Sequence, residues 1–161
     1  MAIPTSIRDG LISGAVGTLS HWGPMRARTA VIDTEDESNN VFGRAFTFAD
    51  ETVESVQAGG DGTFAGILVH PEAHKITENG VPNGYVGEFL DMGEIFVEVA
   101  GADAAAIGDP VYFVAATGEL TTAEDDGGDP AVANTQVPNA RIERHLPSAE
   151  TPNLVVIRLT N

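Results

Sequence analysis

Glu94-Ile95-Phe96-Val97-Glu98-Val99 alternates its side chains with a period of two. Successive residues of an extended chain point to opposite faces. Ile95, Val97 and Val99 therefore share one face, and Glu94, Phe96 and Glu98 share the other. This is a strand with one buried side, and its surroundings are of the same kind. Ala100 to Ile107 is alanine-rich and reads as one helical turn, closed by Gly108-Asp109-Pro110. Val111-Tyr112-Phe113-Val114 and Glu119-Leu120-Thr121-Thr122 flank Thr117-Gly118 and predict a hairpin. Ala123 to Pro138 is acidic, contains Gly and Pro, and reads as a mobile loop. Two last strands, Ala140 to Leu146 and Asn153 to Leu159, are separated by turn chemistry at Pro147-Ser148-Ala149-Glu150-Thr151-Pro152.

Upstream, Thr63-Phe64-Ala65-Gly66-Ile67-Leu68-Val69-His70 is largely apolar and reads as a central strand ended by Pro71. Residues 71–86, with Pro71, Gly80, Pro82 and Gly84, read as a loop. Ala58-Gly59-Gly60-Asp61-Gly62 is a turn cluster. In Val41-Phe42-Gly43-Arg44-Ala45-Phe46-Thr47-Phe48, Phe42, Ala45 or Phe46, and Phe48 compete for the interior, and Gly43 suggests a bulge or close backbone approach. Thr29-Ala30-Val31-Ile32-Asp33 is a short β-branched strand. Before it, Gly10, Gly14, Gly17 and Gly23 break any periodicity, and Pro4 and Pro24 flank the stretch. The expected organisation is an extended N-terminal arm over residues 1–28 and a β-barrel domain over 29–161. Short strands at regular spacing with turns between them predict an all-β chain, a small antiparallel β-barrel or sandwich.

Composition narrows the function. The 161 residues suggest one domain, and none is cysteine, which removes disulfides, thiolate nucleophiles and Cys-based metal sites. The net charge of −16 comes from 24 acidic residues against 8 basic ones, of which Lys75 is the one lysine. Such a surface repels nucleic-acid phosphates and anionic membranes. It fits a soluble, aggregation-resistant surface, or adaptation to high salt, where self-repulsion is screened. No apolar run approaches the roughly 20 residues of a membrane helix, and residues 1–9 do not read as a signal peptide.

Motifs for chemistry are weak. His70-Pro71-Glu72-Ala73-His74 has two histidines four apart, but Pro71 and the lack of a third ligand favour a polar loop over a metal site. Asp125-Asp126-Gly127-Gly128-Asp129 lacks the alternating ligands and terminal glutamate of a calcium loop. Gly59-Gly60-Asp61-Gly62 has no neighbouring lysine and does not form a phosphate cradle. There is no G-x-S-x-G elbow to join His21 or His145 to a serine. Glu94 and Glu98 are two carboxylates among many. No catalytic, cofactor or metal residue is assigned, and the chain reads as non-enzymatic.

The scarce arginines are more informative. Arg26 and Arg28 follow Trp22 and Met25, Arg44 sits in a strand, and Arg141 and Arg144 sit in another. Scarce cations among many acids pair internally, or they serve an interface, where Trp, Met and Arg are enriched. Trp22, Met25, Arg26, Arg28 and Arg44 form the expected partner surface.

The order of these pieces resembles the structural cement or head-decoration family of tailed phages and tailed archaeal viruses. Val41-Phe42-Gly43-Arg44-Ala45 is similar to the family's FGRA strand, and Gly62-Thr63-Phe64-Ala65-Gly66-Ile67-Leu68-Val69 to its GxFAGIxV strand. Met92-Gly93-Glu94-Ile95 through Val99, Gly108-Asp109-Pro110-Val111-Tyr112, Thr117-Gly118-Glu119-Leu120-Thr121 and the closing Val155-Val156-Ile157-Arg158-Leu159 resemble the later barrel core. The resemblance spans most of residues 10–160, and the charge of −16 departs from a typical family surface. It implies a cement protein on the outer capsid surface of the virion, made in the host cytoplasm. Implied too are contacts to the major capsid protein and homo-oligomers, often trimers, with no cofactor. The alternatives are a soluble ligand- or glycan-binding barrel, for which Trp22, Tyr85 and Tyr112 are few aromatics, and a small hydrolase, for which no nucleophile motif exists.

Overall fold

A computed structural model describes residues 14–21, 23–50, 52, 54–71, 80–145 and 153–160. Its strands are β1 (Arg26–Ile32), β2 (Ala45–Asp50), β3 (Ser55–Ala58), β4 (Phe64–Leu68), β5 (Val86–Ala100), β6 (Pro110–Phe113), β7 (Leu120–Thr121), β8 (Thr135–His145) and β9 (Leu154–Leu159). Short 3-10 turns lie at Glu37–Asn39 and Ala102–Ala104. The all-β expectation holds, as do the helical turn after β5 and the β6–β7 hairpin.

β5 is the backbone of the architecture. Its first half pairs with β1 on one edge (Arg28↔Phe89, Val31↔Val86) and with β4 on the other (Ile67↔Leu90, Leu68↔Phe89). β4 pairs with β2, β2 with β3, and β3 runs parallel to β1, so five strands close into a barrel. The second half of β5 pairs with β9 (Glu94↔Arg158, Val97↔Val155) and with β7 (Val99↔Leu120). β7, β6, β8 and β9 pair in turn, so these strands return to β5 as a second ring. Ring closure leaves few free edges, which removes the hazard of edge-to-edge aggregation.

The register explains the burial. Phe46, Leu68 and Phe89 point into the first ring with Ile32 and Val56, and the Phe46 and Phe89 rings lie 5.1 Å apart. On the opposite faces of the same strands, Ala45, Ile67 and Leu90 pack with Ile95, Val97, Val99, Ile142 and Ile157 of the second ring. β2 and β4 are therefore apolar on both faces. Ala45 and Phe46, rivals for one interior in the sequence, are both fully buried, in different cores. The expected stripe of Ile95, Val97 and Val99 is inside and Glu98 is exposed, but Phe96 on the opposite face is also buried, covered by Val16 of the lead-in.

Several segments differ from the sequence reading. β5 begins at Val86, not at Glu94, and β8 begins at Thr135, inside the expected loop. β3 has no counterpart among the expected strands. The acidic segment is an ordered hairpin in this structure: Asp125 bridges Ala133, and Asp126 accepts from the backbone N–H groups of Gly128 and Val132. Arg44 precedes β2 instead of lying within it.

Candidate interaction surface

The described part of the N-terminal lead-in is laid onto β5. Gly17 N donates to Phe96 O, Phe96 N to Thr18 O, and Ser20 N to Glu94 O. Val16 joins Phe96, Leu154 and Val156 in a small apolar cluster on the outer side of the second ring. Gly14 is required there by close approach: a Cβ would overlap the Phe96 ring. β1 follows at Arg26, inside the expected arm of residues 1–28.

Of the expected partner residues, Trp22 lies outside the described residues. Met25 is 39% exposed. Arg26 and Arg28 converge on one carboxylate. Arg26 Nε donates to both oxygens of Asp91 at 2.8 and 3.0 Å, and an Arg28 terminal nitrogen donates to Oδ2 at 3.1 Å. The Asp91 side chain is only 10% exposed, whereas Arg26 and Arg28 remain 49% and 46% exposed. Burial pushes the Asp91 carboxyl up, but the hydrogen bonds and charges of the two guanidiniums outweigh it and hold the group below the usual carboxylate range. Arg28 also lies 5.4 Å from the centre of the Phe48 ring. The fork therefore pre-orders two cationic groups at an exposed rim beside Met25, in a chain of net charge −16.

Arg44 stands apart from this group. One terminal nitrogen donates to Asn39 Oδ1 (2.8 Å) and Thr117 O (3.2 Å), the other to Glu119 Oε1 (2.7 Å). Its side chain is 19% exposed. It ties the 3-10 turn before β2 to the β6–β7 hairpin, and so ties the two rings together. It also borders a cleft of about 360 Å³ with Val16, Phe42, His70, Glu98 and Asn153.

A second cleft, about 370 Å³, lies between the lead-in and β5/β9, lined by His21, Pro24, Met92, Glu94, Arg158 and Leu159. Sequence reasoning missed it because its walls come from three distant segments. Among the described residues no three His, Asp or Glu side chains gather as metal ligands. Glu72 and His74 of the two-histidine motif lie outside the described residues, and His70 packs its ring against Phe42 at 4.6 Å. Glu94 accepts from Ser20 Oγ, and Glu98 is exposed on the same face.

Comparison with known proteins agrees with this picture of a ring-built surface. No curated protein matches the chain. Among solved structures it is similar to a chain from "The capsid of Myoviridae Phage XM1", with a TM-score of 0.65 over 100% of this chain and 99% of that one. At 20% identity this likeness is one of fold. Residues 3–160 match the family of structural cement proteins (E217 gp24/Pam3 gp6), and the chain belongs to that family.

Proposed function

We propose that this cement protein binds the outer surface of the major capsid protein lattice through the rim of Met25, Arg26 and Arg28, together with Trp22, and that it does so as a homo-oligomer, a trimer. The carrying observation is the arginine fork on Asp91, which presents two half-exposed guanidiniums where the rest of the chain is rich in acid. Guanidiniums with spare donors favour acidic and carbonyl acceptors on a partner. Added buried interface, repeated over a lattice, stabilises a shell by mass action and avidity. The role is structural and involves no catalysis. Arg44, held on Asn39, Thr117 and Glu119, lies apart from this rim. Of the expected arm, Gly17, Thr18 and Ser20 are hydrogen-bonded to β5, and residues 1–13 lie outside the described residues. The glycan-binding alternative is not favoured by membership in a structural family.

Mixing the purified chain with undecorated capsids and sedimenting them tests this. Co-sedimentation is expected, weakened at least tenfold in affinity by Met25→Asp with unchanged melting. Failure to co-sediment at both low and high salt would sink the proposal. Deleting residues 2–24 is a poor test, since it also uncovers Phe96 and one edge of β5.

A further inference from the structure

We propose that Asn83–Gly84 is a site of deamidation that the folded chain holds shut with hydrogen bonds, and that it reacts only when the turn before β5 comes away from β1. Asparagine followed by glycine is the dipeptide most open to this chemistry. Glycine has no side chain to hinder ring closure and gives the backbone the freedom the ring needs. The Gly84 nitrogen loses its proton and attacks Cγ of Asn83. A C–N bond forms, the bond from Cγ to Nδ2 breaks, and Nδ2 leaves as ammonia with the proton. Water then opens the succinimide at either carbonyl and gives aspartate or isoaspartate. Water is the one co-reactant.

The reacting groups are all engaged elsewhere. Asn83 Oδ1 accepts from Thr34 N at 3.0 Å and from Asn40 Nδ2 at 2.9 Å, and Asn83 Nδ2 donates to Thr34 O at 2.8 Å. The carboxamide is thereby turned towards Thr34 and Asn40, and swinging Cγ onto the next nitrogen breaks all three bonds. That attacking nitrogen donates to Ile32 O at 2.8 Å. Asn83 N donates to Glu37 Oε2 at 2.9 Å and fixes the main chain. Burial is not the protection: Asn83 and Gly84 are both exposed, so water and hydroxide reach them. The partners themselves are firmly placed. Thr34 is buried, with its Oγ1 accepting from Ala58 N of β3, and Asn40 is fully buried. Conversion therefore waits on local opening, and its rate reports the open fraction. It is also one-way. A carboxylate at position 83 has no donor for Thr34 O and adds charge near Glu37, so the turn cannot close as before.

Peptide mapping by mass spectrometry, with isoaspartate counted by enzymatic methylation, tests this on the full chain in mildly alkaline buffer, with and without urea. In urea Asn83 should convert at a rate similar to Asn79 of Asn79–Gly80, an asparagine outside the described residues. In the folded chain Asn83 should convert at least tenfold more slowly than in urea. Gly84→Ala should slow the reaction in urea, as attack by the following nitrogen requires. Glu37→Ala and Asn40→Ala each remove one bond and should raise the folded rate several-fold while leaving the rate in urea unchanged. Glu37 is exposed, so its variant keeps the fold, checked by circular dichroism, even where the buried Asn40 variant does not. Conversion of the folded chain as fast as in urea would overturn the proposal. So would protection that is indifferent to Glu37→Ala.

Discussion

Gly59 lies at the joint between the two rings, and replacing it with alanine tests whether that joint holds the molecule together. Its φ of +67° is left-handed, which costs alanine about 1 kcal/mol. The added Cβ would overlap the Ala115 carbonyl and come within 2.9 Å of Gly118 N, and both are backbone atoms that no rotamer change can move. The hydrogen bonds at stake are Gly60 N to Ala115 O (2.6 Å), Gly59 N to Ala45 O (2.9 Å) and Ala45 N to Gly118 O (2.9 Å). Losing or stretching two or three of these adds about 1 kcal/mol each. The sum is about 3–4 kcal/mol, against typical domain stabilities of about 5–15 kcal/mol. At about 2–4 °C per kcal/mol for a chain of this size, the melting temperature should fall by about 10 °C. Gly84 supplies the control. Its φ is +80°, but nothing lies within 4 Å of its missing Cβ. Gly84→Ala should therefore cost only the backbone term, about 1 kcal/mol. Calorimetry or urea unfolding of both variants reads the difference. Equal destabilisation by the two would refute the interlocked joint.

Other expectations follow from single contacts. Phe96→Ala should cost about 3 kcal/mol, and hydrogen exchange at the Gly17 and Ser20 amides should quicken as the lead-in loosens; unchanged protection would separate the lead-in from Phe96. Asp91 has a lowered folded pKa, so its stabilisation is complete above the unfolded value of about 4 and is lost as pH falls through the lower folded value. Asp91→Asn should cost about 1–2 kcal/mol at neutral pH, and the gap from the unmodified chain should close below about pH 4 in pH-dependent urea unfolding. Arg44→Lys cannot reproduce the fork to Asn39, Thr117 and Glu119 and should cost about 1 kcal/mol by the same assay. With a net charge of −16, the unfolding midpoint should rise from low to molar potassium chloride, where the screening length drops to about 3 Å; a flat response would remove the high-salt reading.

Parts of the proposed interaction surface are legible in the order of residues alone. Met25, Arg26 and Arg28 stand out because cations are so scarce, and the same scarcity points to internal pairing. The pairing is observed: Arg26 and Arg28 share Asp91 and remain half-exposed, and the proposed interface rests on that exposure. Their shared carboxylate is not legible in the same way. Asp91 lies 65 residues from Arg26, within a stretch of β5 where Gly87, Glu88 and Gly93 break the alternation that marks a strand. The cleft beside Pro24 is hidden for the same reason, being assembled from the lead-in, β5 and β9.

The sequence by itself determined that several segments extend and, in those, which residues turn inward. The Ile95, Val97 and Val99 stripe, the apolar run of β4 and the β6–β7 hairpin follow from side-chain period and turn residues, which are local properties. Only the tertiary structure decided how the strands close. β5 runs 15 residues because β1 and β4 hold its first half and β9 and β7 its second, and those partners come from both ends of the chain. β3, four residues long, is a strand because β1 and β2 supply its hydrogen bonds. Closure is set by long-range pairing, and no short window of sequence contains both sides of the β1–β5 or β5–β9 pair.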